Sequence, residues 1–139
     1  MTNAVPHQAS CVAIGERAVL IEGAPGSGKS SLALALIDRG AVLVGDDGVL
    51  LEPRGAELWA SPPPRIAGLI EIRNVGLITL PTSCAKVSLM LRLDPAAPRF
   101  VEEAEQVVLA GIALPLIRLW PNSPVLALRA EQALALHGS

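Results

Sequence analysis

Lys29 and Ser30 close the run Gly23-Ala24-Pro25-Gly26-Ser27-Gly28-Lys29-Ser30, and these residue types at this spacing build a cradle for phosphate. Glycines at 23, 26 and 28 let the backbone turn tightly enough to aim several N–H groups at one phosphate. A helix beginning at Lys29 adds the positive end of its dipole. Lys29 would then reach the outer phosphates, the Ser30 hydroxyl would bind Mg²⁺, and Ser31 would extend the binding stretch into the helix. The flanks fit this reading. Ala18-Val19-Leu20-Ile21 reads as a buried strand and residues 29–39 as a helix, the strand–loop–helix order of a P-loop. The motif predicts binding of a nucleoside triphosphate or a close relative.

Asp46 and Asp47 form a second cluster, at the end of the apolar run Ala41-Val42-Leu43-Val44. A P-loop site needs a carboxylate near the terminal phosphate, either to hold Mg²⁺ or to accept a proton from the attacking hydroxyl. Neighbours in an extended segment point to opposite sides, so the two aspartates are expected to divide these tasks. Gly45-Asp46-Asp47-Gly48 is also a good solvated turn. The P-loop only one helix and one strand earlier favours the chemical reading. Asp46 follows Ser30 by sixteen residues, closer than the Mg²⁺ carboxylates of GTPases and motor-type ATPases. The guanine-reading Asn-Lys-x-Asp pattern is absent as well, so both classes are disfavoured.

A third segment reads Leu69-Ile70-Glu71-Ile72-Arg73-Asn74-Val75-Gly76. Glu71 and Arg73 would share one face of a strand. The pair could complete a Mg²⁺ shell and neutralise transferring charge, or be a surface ion pair of little energetic weight. Taken alone, the ion-pair reading is the stronger.

These groups must be held by a fold. Residues 11–14 and 18–21 read as a hairpin turned at Gly15-Glu16-Arg17. The helix after the loop is apolar nearly all round, which predicts burial against a sheet, and Gly40 stops it. Short strands follow at 41–44, 49–51 and 57–59, the last two joined by a turn at Pro53-Arg54-Gly55. Pro62-Pro63-Pro64 is an extended connector, and strands are expected at 66–72, 75–80, 86–93 and 114–119. Residues 101–110 suit a helix before Gly111, and 126–136 an amphipathic helix ended by Gly138. Many short strands with few helices set this α/β chain apart from a regular doubly wound domain.

At 139 residues the expectation is a single domain over residues 1–139. Hydrophobic residues make up 51 % of it, which rules out disorder, yet the apolar stretch 107–117 is too short to span a membrane. No basic-then-apolar leader is evident, so the reading is a cytoplasmic protein without a membrane partner. A net charge of −2 and only three aromatic residues, Trp59, Phe100 and Trp120, argue against nucleic acid as a partner. Cys11 and Cys84 have no metal-ligand spacing and read as buried thiols.

The P-loop, the Asp46-Asp47 pair and the Ile70-Glu71-Ile72-Arg73-x-x-Gly76 segment, in that order, resemble the catalytic domain of HPr serine kinase/phosphorylase. The resemblance runs from about His7 to Trp120. It implies a P-loop fold of the HPr kinase/phosphoenolpyruvate carboxykinase-like type, in a short form without the family's N-terminal domain, as in some α-proteobacteria. It further implies ATP- and Mg²⁺-dependent phosphorylation of a serine in an HPr-like phosphocarrier, and a hexamer. By the same resemblance Lys29 binds phosphate, and Ser30 and Glu71 are the Mg²⁺ ligands. Asp47 takes the proton of the acceptor serine, Asp46 assists metal or phosphate geometry, His7 matches a catalytic histidine and Arg99 a phosphate-site arginine. Asn74 stands where the family usually has glycine, and asparagine tolerates the positive φ such a loop would need. The stretch 114–128 is shorter and more apolar than the loop associated with phosphorolysis, which favours the forward reaction over the reverse. A kinase with another acceptor and a nucleotide-responsive binding module are the alternatives.

Overall fold

The computed structural model describes residues 4–139. The chain opens with β1 (Val5–His7) and a hairpin of β2 (Ser10–Ile14) and β3 (Arg17–Gly23), in which Ile14 pairs with Arg17 across Gly15-Glu16. The P-loop leads from β3 straight into α1 (Lys29–Asp38). After that helix the Gly40 N–H donates to the Ile37 carbonyl and the Ala41 N–H to that of Leu36, satisfying two last-turn acceptors. Next come β4 (Val42–Gly45), the hairpin of β5 (Val49–Arg54) and β6 (Glu57–Ser61), and that of β7 (Leu69–Ile72) and β8 (Gly76–Thr79). β9 (Ala85–Leu93), β10 (Glu105–Leu109) and β11 (Ile112–Leu119) precede the final helix α2 (Leu126–His137). Among the described residues, eleven strands against two helices bear out the expected architecture.

β9 is the axis of the main sheet. One edge pairs in parallel with β3, while the other is shared by β6, antiparallel at residues 85–86, and β11, parallel over 90–93. A strand with parallel neighbours is covered on both faces, and β9 is accordingly buried at every position except Lys86 and Arg92. The path β1-β5-β6-β9-β3-β2-β4 completes the sheet, with β10 outside β11, whereas among the described residues β7 and β8 pair only with each other. Side chains alternate as a pleated backbone requires. Val12, Val19, Ile21, Leu89 and Leu91 pack against Leu32, Ala33 and Leu36 of α1 and Ala130 and Leu134 of α2. Cys11, Leu20, Val87 and Met90 face the other way, where Leu51, Leu58, Leu114 and Leu116 close over them.

Several expectations are corrected. Residues 105–109 form a strand, not a helix, because Val107 and Leu109 pack onto the core from β10 and the segment pairs with β11. Pro53 lies inside β5 opposite Leu58, and the turn falls two residues later at Gly55-Ala56. Residues 64–68 turn, so the strand expected from Ile66 begins at Leu69.

Cys11 is buried, but Cys84 is exposed in the segment before β9. Burial pushes the Cys11 thiol far up, and only a thiolate is nucleophilic. The native protein should therefore give one fast-reacting thiol with an aromatic disulfide reagent at mildly alkaline pH, and a second only on unfolding. Two fast equivalents, or none, would contradict this placement.

Candidate active site

β3 delivers the chain to Gly23 at the end of a strand that lies deep in the sheet, and α1 takes it away, so the loop between them is held at both ends. Gly28 is the N-cap of α1 with φ 103, a left-handed conformation open to glycine at little cost. No side chain caps this helix and no acidic residue occupies its first turn. The first-turn N–H groups, which have no partner within the helix, are thus left for an anion. Lys29 Nζ donates to the Gly23 carbonyl at 3.0 Å, which holds the ammonium beside the loop. The Ser27 hydroxyl is buried without a hydrogen-bond partner among the described residues, a further donor within the loop.

A cleft of about 660 Å³ opens on this loop. Residues 25–31 form its floor, Asp46 and Asp47 one wall, and residues 70–73 another, with Gln8, Leu34, Pro121 and Asn122 completing it. Lys29, Ser30, Asp46, Asp47 and Glu71 therefore share one cavity with the predicted loop residues 25–28 and Ser31. The two aspartates do not lie in an extended strand as expected. β4 ends at Gly45, and the chain bends there so sharply that a Cβ on Gly45 would collide with the Gly48 carbonyl. Asp47 takes φ 57, a strained choice for a side-chain-bearing residue that aspartate tolerates better than most. Their roles still separate. Asp46 Oδ1 accepts the Ser30 hydroxyl at 2.6 Å and the Ser10 hydroxyl at 3.1 Å, whereas Asp47 has no hydrogen-bonding partner among the described residues.

Glu71 lies on β7 and Arg73 just past its end, in the turn, so they do not share a strand face and form no ion pair. That turn is closed by the Val75 N–H on the Ile72 carbonyl, with Asn74 at φ 69, the conformation for which asparagine was expected to stand in for glycine.

His7 and Arg99 are not brought to the cleft. Arg99 is exposed between β9 and β10. His7, at the end of β1, donates from Nε2 to Glu22 Oε2 at 2.8 Å, and Arg92 Nη2 donates to the other Glu22 oxygen at 3.2 Å. Glu22 and Arg92 were not singled out in the sequence, although Glu22 directly precedes the P-loop. Their pairing across β3 and β9 is a register fact that spacing alone does not reveal.

Among the described residues, no three His, Cys, Asp or Glu side chains are grouped closely enough to form a metal cage. The donor set nevertheless fits Mg²⁺ of the kind that phosphates help to hold. Such an ion keeps several waters and takes only one or two protein oxygens, and Ser30, Asp46 and Glu71 all line the cleft.

A P-loop closing a β-strand onto a helix, faced by two aspartates, defines a phosphate-binding α/β domain. Comparison with known proteins narrows that class. The family model described as the HPr Serine kinase C-terminal domain matches residues 1–89. An HPr kinase/phosphorylase of Brevibacillus brevis is 48 % identical over 91 residues, covering 65 % of this chain and 26 % of its own. One from Streptococcus pneumoniae is 34 % identical over 115 residues, covering 73 % of this chain and 37 % of its own. The solved Hpr(Ser) kinase/phosphatase of Coxiella burnetii superposes with a TM-score of 0.82 at 30 % identity, over 94 % of this chain and 88 % of that one. The chain belongs to the HPr serine kinase C-terminal domain family. It spans well under half the length of these two curated relatives. No helix among the described residues is long and apolar enough to cross a membrane.

Proposed function

We propose that this domain transfers the γ-phosphoryl group of ATP to a serine hydroxyl of an HPr-like phosphocarrier protein. One observation carries the reading: Lys29, Ser30, Asp46, Asp47 and Glu71 line one cleft at the uncapped N-terminus of α1. Lys29 and the loop amides bind the β- and γ-phosphates. Ser30 and Glu71 hold Mg²⁺, which when bound neutralises charge on the phosphate oxygens. Asp46 keeps the Ser30 proton and fixes that hydroxyl, since its Oδ1 is engaged by two serines. Asp47, free of such partners, takes the acceptor proton as the serine oxygen attacks in line. The new bond joins serine oxygen to γ-phosphorus, the bond to the β–γ bridging oxygen breaks, and ADP leaves.

His7 and Arg99 belong to this reading only if the acceptor, or a second copy in the proposed hexamer, brings them to the phosphate. A cytoplasmic setting follows from such a substrate. Residues 1–139 would act as one catalytic domain, and in phosphorolysis inorganic phosphate would attack the seryl phosphate, the proton returning from Asp47 to the serine oxygen as pyrophosphate forms.

Incubation with γ-labelled ATP, Mg²⁺ and a purified HPr-like phosphocarrier should transfer label to one serine of that protein. ATP binding without transfer to any such carrier would favour a regulatory module, and transfer to another protein would reassign the acceptor.

A further inference from the structure

Ser10, the first residue of β2, is fully buried, and its hydroxyl donates to Asp46 Oδ1, thirty-six residues away. The register explains how they meet. β2 and β4 run antiparallel with Val12 opposite Leu43, but Cys11 lies opposite Gly45, so the ladder skips one residue at Val44. Without that bulge the next pair would be Ser10 with Gly45. With it, Asp46 comes level with Ser10, just where the chain leaves the sheet for the cleft. Bulges commonly re-aim a side chain beside a functional site. Here the bulge brings a buried donor to a carboxylate oxygen that also receives Ser30 at 2.6 Å.

Building on the function proposed above, we propose that Ser10 is a positioning residue for the metal–nucleotide site. Its buried hydroxyl pins Asp46, Asp46 holds the Ser30 proton, and the Ser30 oxygen is thereby left to present its lone pairs to the cation. Ser10 touches neither nucleotide nor metal. A hydroxyl in the core must find a partner, and this one spends its proton on orienting a carboxylate one hydrogen bond from the proposed Ser30 ligand. Outer partners of this kind typically set metal affinity by about 10- to 100-fold.

The test uses the full chain and reads binding, not turnover. ATP affinity is measured by calorimetry in chelator and at stepped Mg²⁺, and Mn²⁺ binding in the presence of ATP by electron paramagnetic resonance. Ser10→Ala removes the donor, and Ser10→Cys fills the space but donates weakly. Both variants should raise the Mg²⁺ and Mn²⁺ midpoints by about tenfold, with metal-free ATP affinity unchanged. Midpoints unchanged in either folded variant overturn the proposal. So does a shift in Ser10→Ala that Ser10→Cys lacks, since packing would then be the cause. If Ser10→Ala fails to fold, Ser10→Cys alone decides. A wild-type chain that binds no ATP would instead overturn the nucleotide-site reading, and this inference with it.

Discussion

Lys29→Ala is expected to abolish phosphoryl transfer and to weaken ATP binding roughly 10- to 100-fold, the loss of about 1.5–3 kcal/mol from hydrogen bonding to a charged group. The loop amides and the first turn of α1 would remain, so some affinity persists, but no cation would face the outer phosphates. The fold should survive. Among the described residues Lys29 Nζ donates to the Gly23 carbonyl at 3.0 Å and to that of Ala24 at 3.5 Å, at the partly exposed edge of the cleft where water can replace them. Calorimetry with ATP and Mg²⁺ checks the prediction. Undiminished binding by a folded mutant would remove the P-loop from the account.

Asp47→Asn should leave ATP binding near wild type yet slow phosphorylation of the acceptor serine by on the order of 10²-fold or more, the usual contribution of a positioned general base. Asparagine is a clean substitution here. It tolerates the positive φ of 57 as aspartate does, so the bend after β4 is kept while the proton acceptor is lost. Asp46→Asn should act differently. Its carboxylate oxygen is tied to Ser10 and Ser30, so neutralising it should mainly raise the Mg²⁺ requirement. Single-turnover rates at saturating ATP, measured across Mg²⁺ concentrations, separate the two. A full-speed Asp47 mutant beside a dead Asp46 mutant would exchange their roles. Full activity in both would sink the mechanism.

The parts of this site that were legible in the sequence are those fixed by local geometry. Gly28, Lys29 and Ser30 act within one turn of chain, so their spacing carries their meaning. Asn74 was readable for the same reason, since a positive φ is a property of one residue. Ser10 and Glu22 were not readable. Each matters through a partner far along the chain, and the β2–β4 bulge that brings Ser10 to Asp46 leaves no mark in composition or periodicity. The missed strand β10 has a more specific cause. Its hairpin turns on Ala110 and Gly111, both with positive φ, but a tight turn of that kind usually announces itself with Asn or Asp before the glycine. With alanine there, the signal was silent and the apolar spacing read as helical.

The order in which β9 finds its neighbours bears on how the chain is made. Its first partner, β3, is already synthesised when β9 emerges, but the other edge at residues 90–93 waits for β11, which follows the β10 hairpin arm. Until then the nascent chain carries an apolar strand with open backbone groups along half of one side, the kind of edge that invites pairing with another molecule. The P-loop lies early in the sequence, yet the sheet that holds it is not completed until β11 has been synthesised. Loss of β11 would therefore be felt at the P-loop as misfolding of its scaffold, even though no residue of β11 lines the cleft.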